Sequence, residues 1–287
     1  MSNKDTSFTS KPTAINCNGK MLDFEEARIM GILNITADSF YDGGKYNSIE
    51  QAILRTEQMI DEGAHLIDVG AFSSRPGAKL ISQEEEVDRL LPILKELINE
   101  FPEVIFSIDT YRSEVALRCF HIGAGMINDI SGGNFDEKMI EKIGNMDIAY
   151  VLMHMHGSPE VMQQDPIKEN GQLIVKNFFL AKAERLMELG NLNIILDPGY
   201  GFGKTLKTNY ELLKNQESLR VNNLPLLTAI SRKSMINNVI NTSASEALNG
   251  TTVLNLMALQ NGANLLRVHD VKEARETIDL FNYYESV

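Results

Sequence analysis

The chain has 287 residues, 43% of them hydrophobic and 23% charged, the make-up of an ordinary globular protein. Lys and Arg total 27 against 39 Asp and Glu, and the resulting net charge of −12 repels nucleic acid and anionic membrane surfaces, which argues against either as a partner. No apolar run reaches the roughly 20 residues of a membrane helix, no signal peptide opens the sequence, and two distant cysteines, Cys17 and Cys119, fit a reduced cytoplasm rather than a disulfide framework.

Residues 1–10 are polar, and Asn18-Gly19 between two short strand-like runs signals a two-residue hairpin turn. From Arg28 onward strands and helices alternate. Strands are expected near 28–35, 65–70, 104–110, 125–130, 148–154, 193–197, 225–231 and 264–269. Helices are expected near 48–62, 82–100, 112–123, 137–144, 171–190, 208–219, 244–261 and 271–284. The clearest is the second, where Val87, Leu90, Leu91, Leu94, Leu97 and Ile98 follow the spacing of a buried stripe and Ser82 with Glu85 forms a capping box. The strands are nearly continuous apolar runs, which implies burial on both faces and a parallel sheet beneath helices.

About eight such units read as an α/β fold, a (β/α)8 TIM barrel over residues 28–287. A tail and short N-terminal hairpin over residues 1–27 would close the barrel's N-terminal end. The rival, a doubly wound open sheet, needs a dinucleotide or phosphate-loop fingerprint after its first strand, and MGILNITADSF has neither.

Segment after segment ends in a residue that bonds, charges or ligates: Asn34, Asp68, Asp109, Asn128, Met153 with His154, Asp197, Lys233, and Arg267 with His269. In a barrel these ends share one rim, where active sites form. Two loops, ADSFYDGGKY with Asp38 and Asp42 and AFSSRPGAKL with Ser74, Arg75 and Pro76, read as lids and anion clamps or as plain strand-to-helix turns. GYGFGKT lacks phosphate-loop spacing because Pro198 stands where the first glycine belongs, so its glycines are read as backbone approaching a flat ligand.

His154 and His156 alternate as strand residues do and would face one way, but no third metal ligand lies near, and a histidine bonded to its neighbours is the preferred reading over zinc. Arg267 and His269 share a strand face and suit a phosphate or diphosphate, the alternative being an ion pair with an acidic neighbour. Asp109, Asn128 and Asp197 come from separate strands. Two carboxylates and an amide facing one pocket suit a ligand with several in-plane N–H donors, such as an aminopyrimidinone ring; each alone would also serve as a helix cap.

The motifs MGILNITADSFYDGG, DVGAFSSRPGA, SIDT, INDISGG, LMHMHG, LDPGYGFGKT, SRKSM and LLRVHDVKE, in this order, resemble the dihydropteroate synthase family over nearly all of residues 28–287. The resemblance implies a cytoplasmic transferase of folate biosynthesis and a sulfonamide target. It would condense (7,8-dihydropterin-6-yl)methyl diphosphate with 4-aminobenzoate by dissociative displacement of a Mg2+-bound diphosphate.

By that resemblance Asp197, Asp109 and Asn128 would bond the pterin edge, with Met153 and Ile130 against its faces. Lys233 would bond the pterin carbonyl side, and Arg267, Val268 through its backbone, and His269 would hold the diphosphate. Asn34 would ligate Mg2+. Ser74, Pro76, Phe202 and Ser234 would line the 4-aminobenzoate site, and Phe40, Asp42 and Arg75 would sit on closing loops. Arg75, Lys233, Arg267 and His269 form the expected catalytic set.

Homodimers are usual in the family, and the charge-poor segment VLNLMALQNGA is a candidate contact, or else a helix packed on its own barrel. Ala37, Tyr41, Ala71-Phe72 and Ser74 depart from the commonest family pattern without removing a proposed pocket group. A pterin-dependent methyltransferase and a catalytically silent pterin-binding relative are the alternatives, the first having little use for the Arg267/His269 diphosphate site.

Overall fold

The computed structural model describes residues 14–35, 44–71, 81–158 and 161–287, with backbone alone over 44–47. Strands β1 (Ala14–Cys17) and β2 (Lys20–Asp23) form an antiparallel hairpin. Its turn puts Asn18 at φ 55° and Gly19 at φ 89°, the left-handed pair that a two-residue turn matching strand twist requires.

Eight parallel strands follow: β3 (Arg28–Asn34), β4 (Leu66–Gly70), β5 (Ile105–Asp109), β6 (Met126–Asp129), β7 (Ala149–Met153), β8 (Ile194–Asp197), β9 (Leu227–Thr228) and β10 (Leu265–Val268). They pair in the order β8-β7-β6-β5-β4-β3-β10-β9. The ring closes where the Leu196 N–H donates to the Pro225 carbonyl at 2.8 Å and Leu196 bridges Leu226. Around it run α1 (Gly44–Asp61), α2 (Gln83–Glu100), α3 (Ser113–His121), α4 (Met139–Gly144), α5 (Gly171–Glu188), α6 (Leu206–Lys214), α7 (Ser234–Ile240), α8 (Leu248–Gln260) and α9 (Val271–Ser286). The fold is the expected (β/α)8 TIM barrel with its N-terminal hairpin.

Alternation along the strands separates two cores. Outward residues such as Ile67, Val69, Phe106, Ile108, Ile127, Leu152, Leu196 and Leu266 pack under the helices. Inward residues at the strand starts, among them Met30, Leu66, Ile105, Met126, Ile195 and Leu265, form a second cluster with Ile15, Cys17, Leu22 and Phe24 of the hairpin. The hairpin therefore plugs the N-terminal end of the barrel, and Lys20 fixes it by donating to the Val104 carbonyl at 2.7 Å. With the floor sealed by apolar packing, the inward polar residues lie at the opposite end.

The helices differ from expectation in two places. The stretch expected as one helix over 208–219 ends at Lys214 and resumes as a 3-10 turn over Gln216–Leu219. The Asn215 N–H completes the last helical bond to the Glu211 carbonyl at 3.2 Å and its side chain shares that carbonyl at 2.8 Å, while the Ser218 N–H and hydroxyl both turn to the Asn215 carbonyl, at 3.0 and 2.7 Å, and tighten the next turn. The extra helix α7 has too short an apolar pattern to stand out in sequence. It forms against α8, where Ile236 fills the space over Gly250 so closely that a Cβ there would meet it at 2.4 Å. Half of the expected capping box is present: the Ser82 hydroxyl accepts from the Glu85 N–H at 3.1 Å while the Glu85 carboxylate pairs with Arg89, and Val87, Leu90, Leu94 and Leu97 are buried.

Candidate active site

Above the apolar floor, the inward positions turn polar. Parallel register sets Asn34 beside Gly70, Gly70 beside Asp109, and Asp109 beside Asn128. One layer lower, Asp68 lies beside Ser107. Gly70 leaves the rim open: a Cβ there would lie 3.3 Å from the Asp109 Cβ and 3.7 Å from the Asn34 Oδ1. Farther round, Met153 sits beside Asp197, and Arg267 enters from β10.

Asp68 is fully buried, and Asp109, Asn128 and Asp197 nearly so. Buried carboxylates persist only with donors or cations, and these have them. The Arg267 guanidinium bridges two of them, Nε donating to Asp68 at 2.6 Å and Nη2 to Asp109 at 2.9 Å. Asn128 Nδ2 donates to Asp68 at 2.9 Å, and the Ser107 hydroxyl does so at 2.6 Å.

Asp109 is less complete. Its Oδ1 is buried without a hydrogen-bond partner among the described residues, which leaves an acceptor for an incoming donor. Burial pushes its carboxyl up to about 7, with Arg267 pulling it back and Asp68 adding to the rise.

Asp197 accepts from the Gly199 N–H at 2.7 Å, and burial raises its pKa against the pull of Lys233. Lys233 Nζ donates to the Tyr200 carbonyl at 2.7 Å and lies 4.8 Å from the centre of the Phe202 ring. Burial brings its ammonium down to about 8, while the charge of Asp197 resists the drop, and Arg267 and Asp109 also act on it. Asp109, Asp197, Lys233 and Arg267 therefore share one electrostatic site at one mouth of the barrel.

The loop after β8 explains why three glycines alternate there. Gly199, Gly201 and Gly203 all have left-handed φ, and a Cβ on Gly199 or Gly203 would fall 2.0 Å or 2.1 Å from the carbonyl oxygens of His154 or His156. The close approach is therefore to protein backbone rather than to a flat ligand, which corrects the sequence reading of GYGFGKT. Lys204 locks the contact from inside, donating to the carbonyls of His154, Gly199 and Phe202 at 3.1, 2.8 and 3.0 Å. Burial draws its pKa down to about 7, yet three carbonyl acceptors are satisfied together only by an ammonium with three N–H donors.

The expectation that His154 and His156 face one way fails: His154 is buried and His156 exposed. Strand β7 ends at Met153, so strand alternation does not carry across the pair. His154 packs edge-on to Phe178, and burial lowers its pKa to about 3. Among the described residues no group of three or more His, Cys, Asp or Glu is arranged to hold a metal ion.

On the far side, Ser231 and the His269 Nδ1 are 3.0 Å apart, and Arg55 donates to the His269 carbonyl at 3.1 Å. Val268 faces the jacket of helices, leaving only its backbone toward the mouth. Arg232 pairs through two nitrogens with Asp270, at 2.9 and 2.7 Å, and holds the carbonyls of Ala244 and Ser245. It thereby ties the segment bearing Lys233 and Ser234 to the one bearing His269. Ser234 is exposed at the first turn of α7, and Phe202 is half-buried. Ile130 and Met153 are buried apolar neighbours of the site. Phe40, Asp42, Ser74, Arg75 and Pro76 lie outside the described residues.

A family model described as pterin binding enzyme matches residues 30–269. The dihydropteroate synthase of Escherichia coli K12 is 40% identical over 262 residues, covering 91% of this chain and 92% of that one. The chain belongs to the dihydropteroate synthase family. The Bacillus subtilis synthase is 38% identical over 264 residues, covering 92% and 88%. Among solved structures, the Yersinia pestis synthase in complex with a sulfonamide drug matches with a TM-score of 0.89 at 37% identity, over 96% of this chain and 100% of that one. The Burkholderia cenocepacia synthase complexed with 7,8-dihydropteroate gives 0.85 at 32% identity, over 96% and 97%.

Sequence marks Asp68 only as one of the polar strand-end residues and assigns no role to Ser107, Lys204 or Arg232. Asp68 was legible by parity, since it falls two residues after the inward Leu66 and must face the barrel axis. Arg232 gave no such signal, because its partner is 38 residues away.

Proposed function

We propose that this mouth joins the pterinylmethyl group of (7,8-dihydropterin-6-yl)methyl diphosphate to the amine of 4-aminobenzoate, releasing diphosphate and 7,8-dihydropteroate. The observation that carries the division of labour is the unpartnered, buried Oδ1 of Asp109 in a ring shared with Asp197, Asn128, Lys233 and Arg267. Such acceptors fit the N–H-rich edge of a pterin, with Ile130 and Met153 against the ring. Arg267, His269 and the Val268 backbone hold the diphosphate. Lys233 serves the pterin carbonyl, and Phe202 and Ser234 line the way to 4-aminobenzoate; by family resemblance Ser74 and Pro76 also serve 4-aminobenzoate, and Phe40, Asp42 and Arg75 act in closing over both substrates.

The chemistry asks for little proton transfer. An arylamine is neutral at pH 7, so the barrier lies in losing diphosphate, and cations placed at its oxygens lower it. Asn34 offers an exposed amide oxygen beside the rim. One neutral oxygen suits Mg2+, which keeps waters and takes phosphate oxygens from its substrate. When bound there, Mg2+ neutralises charge on the leaving diphosphate.

The remaining features of the proposal concern the whole protein. Cys17 and Cys119 are buried thiols pushed up to about 12 by burial, in keeping with a reducing cytoplasm, and the net charge of −12 disfavours nucleic-acid partners. No helix among the described residues is long and apolar enough to cross a membrane. Within VLNLMALQNGA, Val253, Leu256 and Met257 form an exposed stripe on α8 beside exposed Val239 and Ile240 of α7, a face for a homodimer. The test of the reaction is incubation of purified protein with the pterin diphosphate, Mg2+ and 4-aminobenzoate. Diphosphate and dihydropteroate should appear together; pterin binding without diphosphate release would identify a silent relative instead.

A further inference from the structure

We infer that Asp68, buried beneath the rim, is a positioning residue that sets the guanidinium of Arg267 and the amide of Asn128 for the pterin diphosphate; the inference rests on the synthase reading above. Asp68 has no exposed surface, so it touches no substrate and acts only through its neighbours. It accepts three hydrogen bonds, Oδ1 from Ser107 at 2.6 Å, and Oδ2 from Asn128 at 2.9 Å and from Arg267 at 2.6 Å.

An ionised carboxylate only accepts, so Asn128 must turn its NH2 group toward Asp68. That fixes which way the amide points and leaves its carbonyl oxygen for other partners. Arg267 is constrained more strongly. A guanidinium is planar and rigid, and anchoring Nε on Asp68 and Nη2 on Asp109 defines its plane by two points. With Asp109 alone, the plane would swing about a single bond. Asp68 also comes from the layer below, paired in register with Ser107, and so holds the arginine from beneath.

Burying a third charge here is costly unless it is fully bonded, and the three donors meet that cost. The same charge acts on Asp109, adding to the rise of its pKa that burial begins.

The test is Asp68→Asn, assayed beside the wild type. Asparagine keeps the volume, can offer its carbonyl oxygen to Asn128 and Arg267, and can direct its NH2 to the Ser107 hydroxyl, so the fold should survive. Loss of the charge should lower kcat/KM for the pterin diphosphate by about tenfold or more, the worth of one charged hydrogen bond. The KM for 4-aminobenzoate should stay within about twofold. The acid limb of the pH profile should move to lower pH, because Asp109 loses a neighbouring negative charge. Unchanged kcat/KM with an unmoved limb would overturn the inference, as would an equal loss for both substrates with an unmoved limb, the outcome for a residue that only supports the fold. A wild type that releases no diphosphate would sink the synthase reading and this inference with it; an active wild type isolates the inference.

Discussion

Asp109 and Lys233 carry opposite charges at one mouth, and burial drives both toward neutrality. The carboxyl is pushed up to about 7 and the ammonium down to about 8. Asp109 accepts a pterin N–H when ionised, so kcat/KM for the pterin diphosphate should rise with pH through about 7. It should fall above about 8 as Lys233 loses its proton and leaves Asp197 unbalanced. A rate flat from about pH 5 to 9, well outside both values, would detach these two groups from the reaction. Arg267 is tied to two carboxylates before substrate arrives, so its place is set in advance. Arg267→Ala should cost at least about a hundredfold in turnover, as loss of a preorganised donor to a leaving oxyanion does. Near-normal kinetics in that variant, once shown folded, would remove the guanidinium from the mechanism.

At the scale of elements, the strand ends carry the polar groups, and one loop brings the apolar ring of Phe202 to them. The β8–α6 connection folds over the end of β7 because two of its glycines press against backbone oxygens and Lys204 binds three carbonyls between them. The three glycines are not equivalent. A Cβ on Gly199 would sit 2.0 Å from the His154 oxygen, whereas on Gly201 it would meet only the Lys233 Cδ at 3.7 Å. Both have left-handed φ, which costs an alanine about 1–2 kcal/mol. Gly199→Ala should therefore lower stability by roughly 3 kcal/mol or more, and Gly201→Ala by no more than about 2 kcal/mol. Chemical denaturation of the two variants measures the contrast; equal losses would show that the loop yields instead of colliding.

Over the whole molecule, the hairpin plug and the polar mouth stand at opposite ends of one cylinder. The hydrophobic side chains that close the floor leave a single wet end, and chemistry collects there. The outer wall carries the apolar stripe of Val253, Leu256 and Met257 next to Val239 and Ile240. If two copies meet there, the wild type should sediment as a dimer and Leu256→Glu as a monomer, with barrel secondary structure intact by circular dichroism. A monomeric wild type at working concentration would reject that face.

The sequence alone determined the eight strands, most helices and the residues that end the strands, because alternation with a period of two or 3.6 is written locally. It also placed Asp109, Asn128, Asp197, Lys233 and Arg267 near one another, since a closed parallel barrel has only one rim for them. What it left open was which of these groups are already spoken for. In sequence Arg267 suits a diphosphate or an acidic neighbour, and the structure gives it two acidic partners, 199 and 158 residues away. The glycines of GYGFGKT, the short helix α7 and the Arg232–Asp270 clamp were decided by the same kind of contact. Local propensity is a property of neighbours in the chain, whereas a buried charge is settled by whichever donors closure of the barrel brings within 3 Å of it.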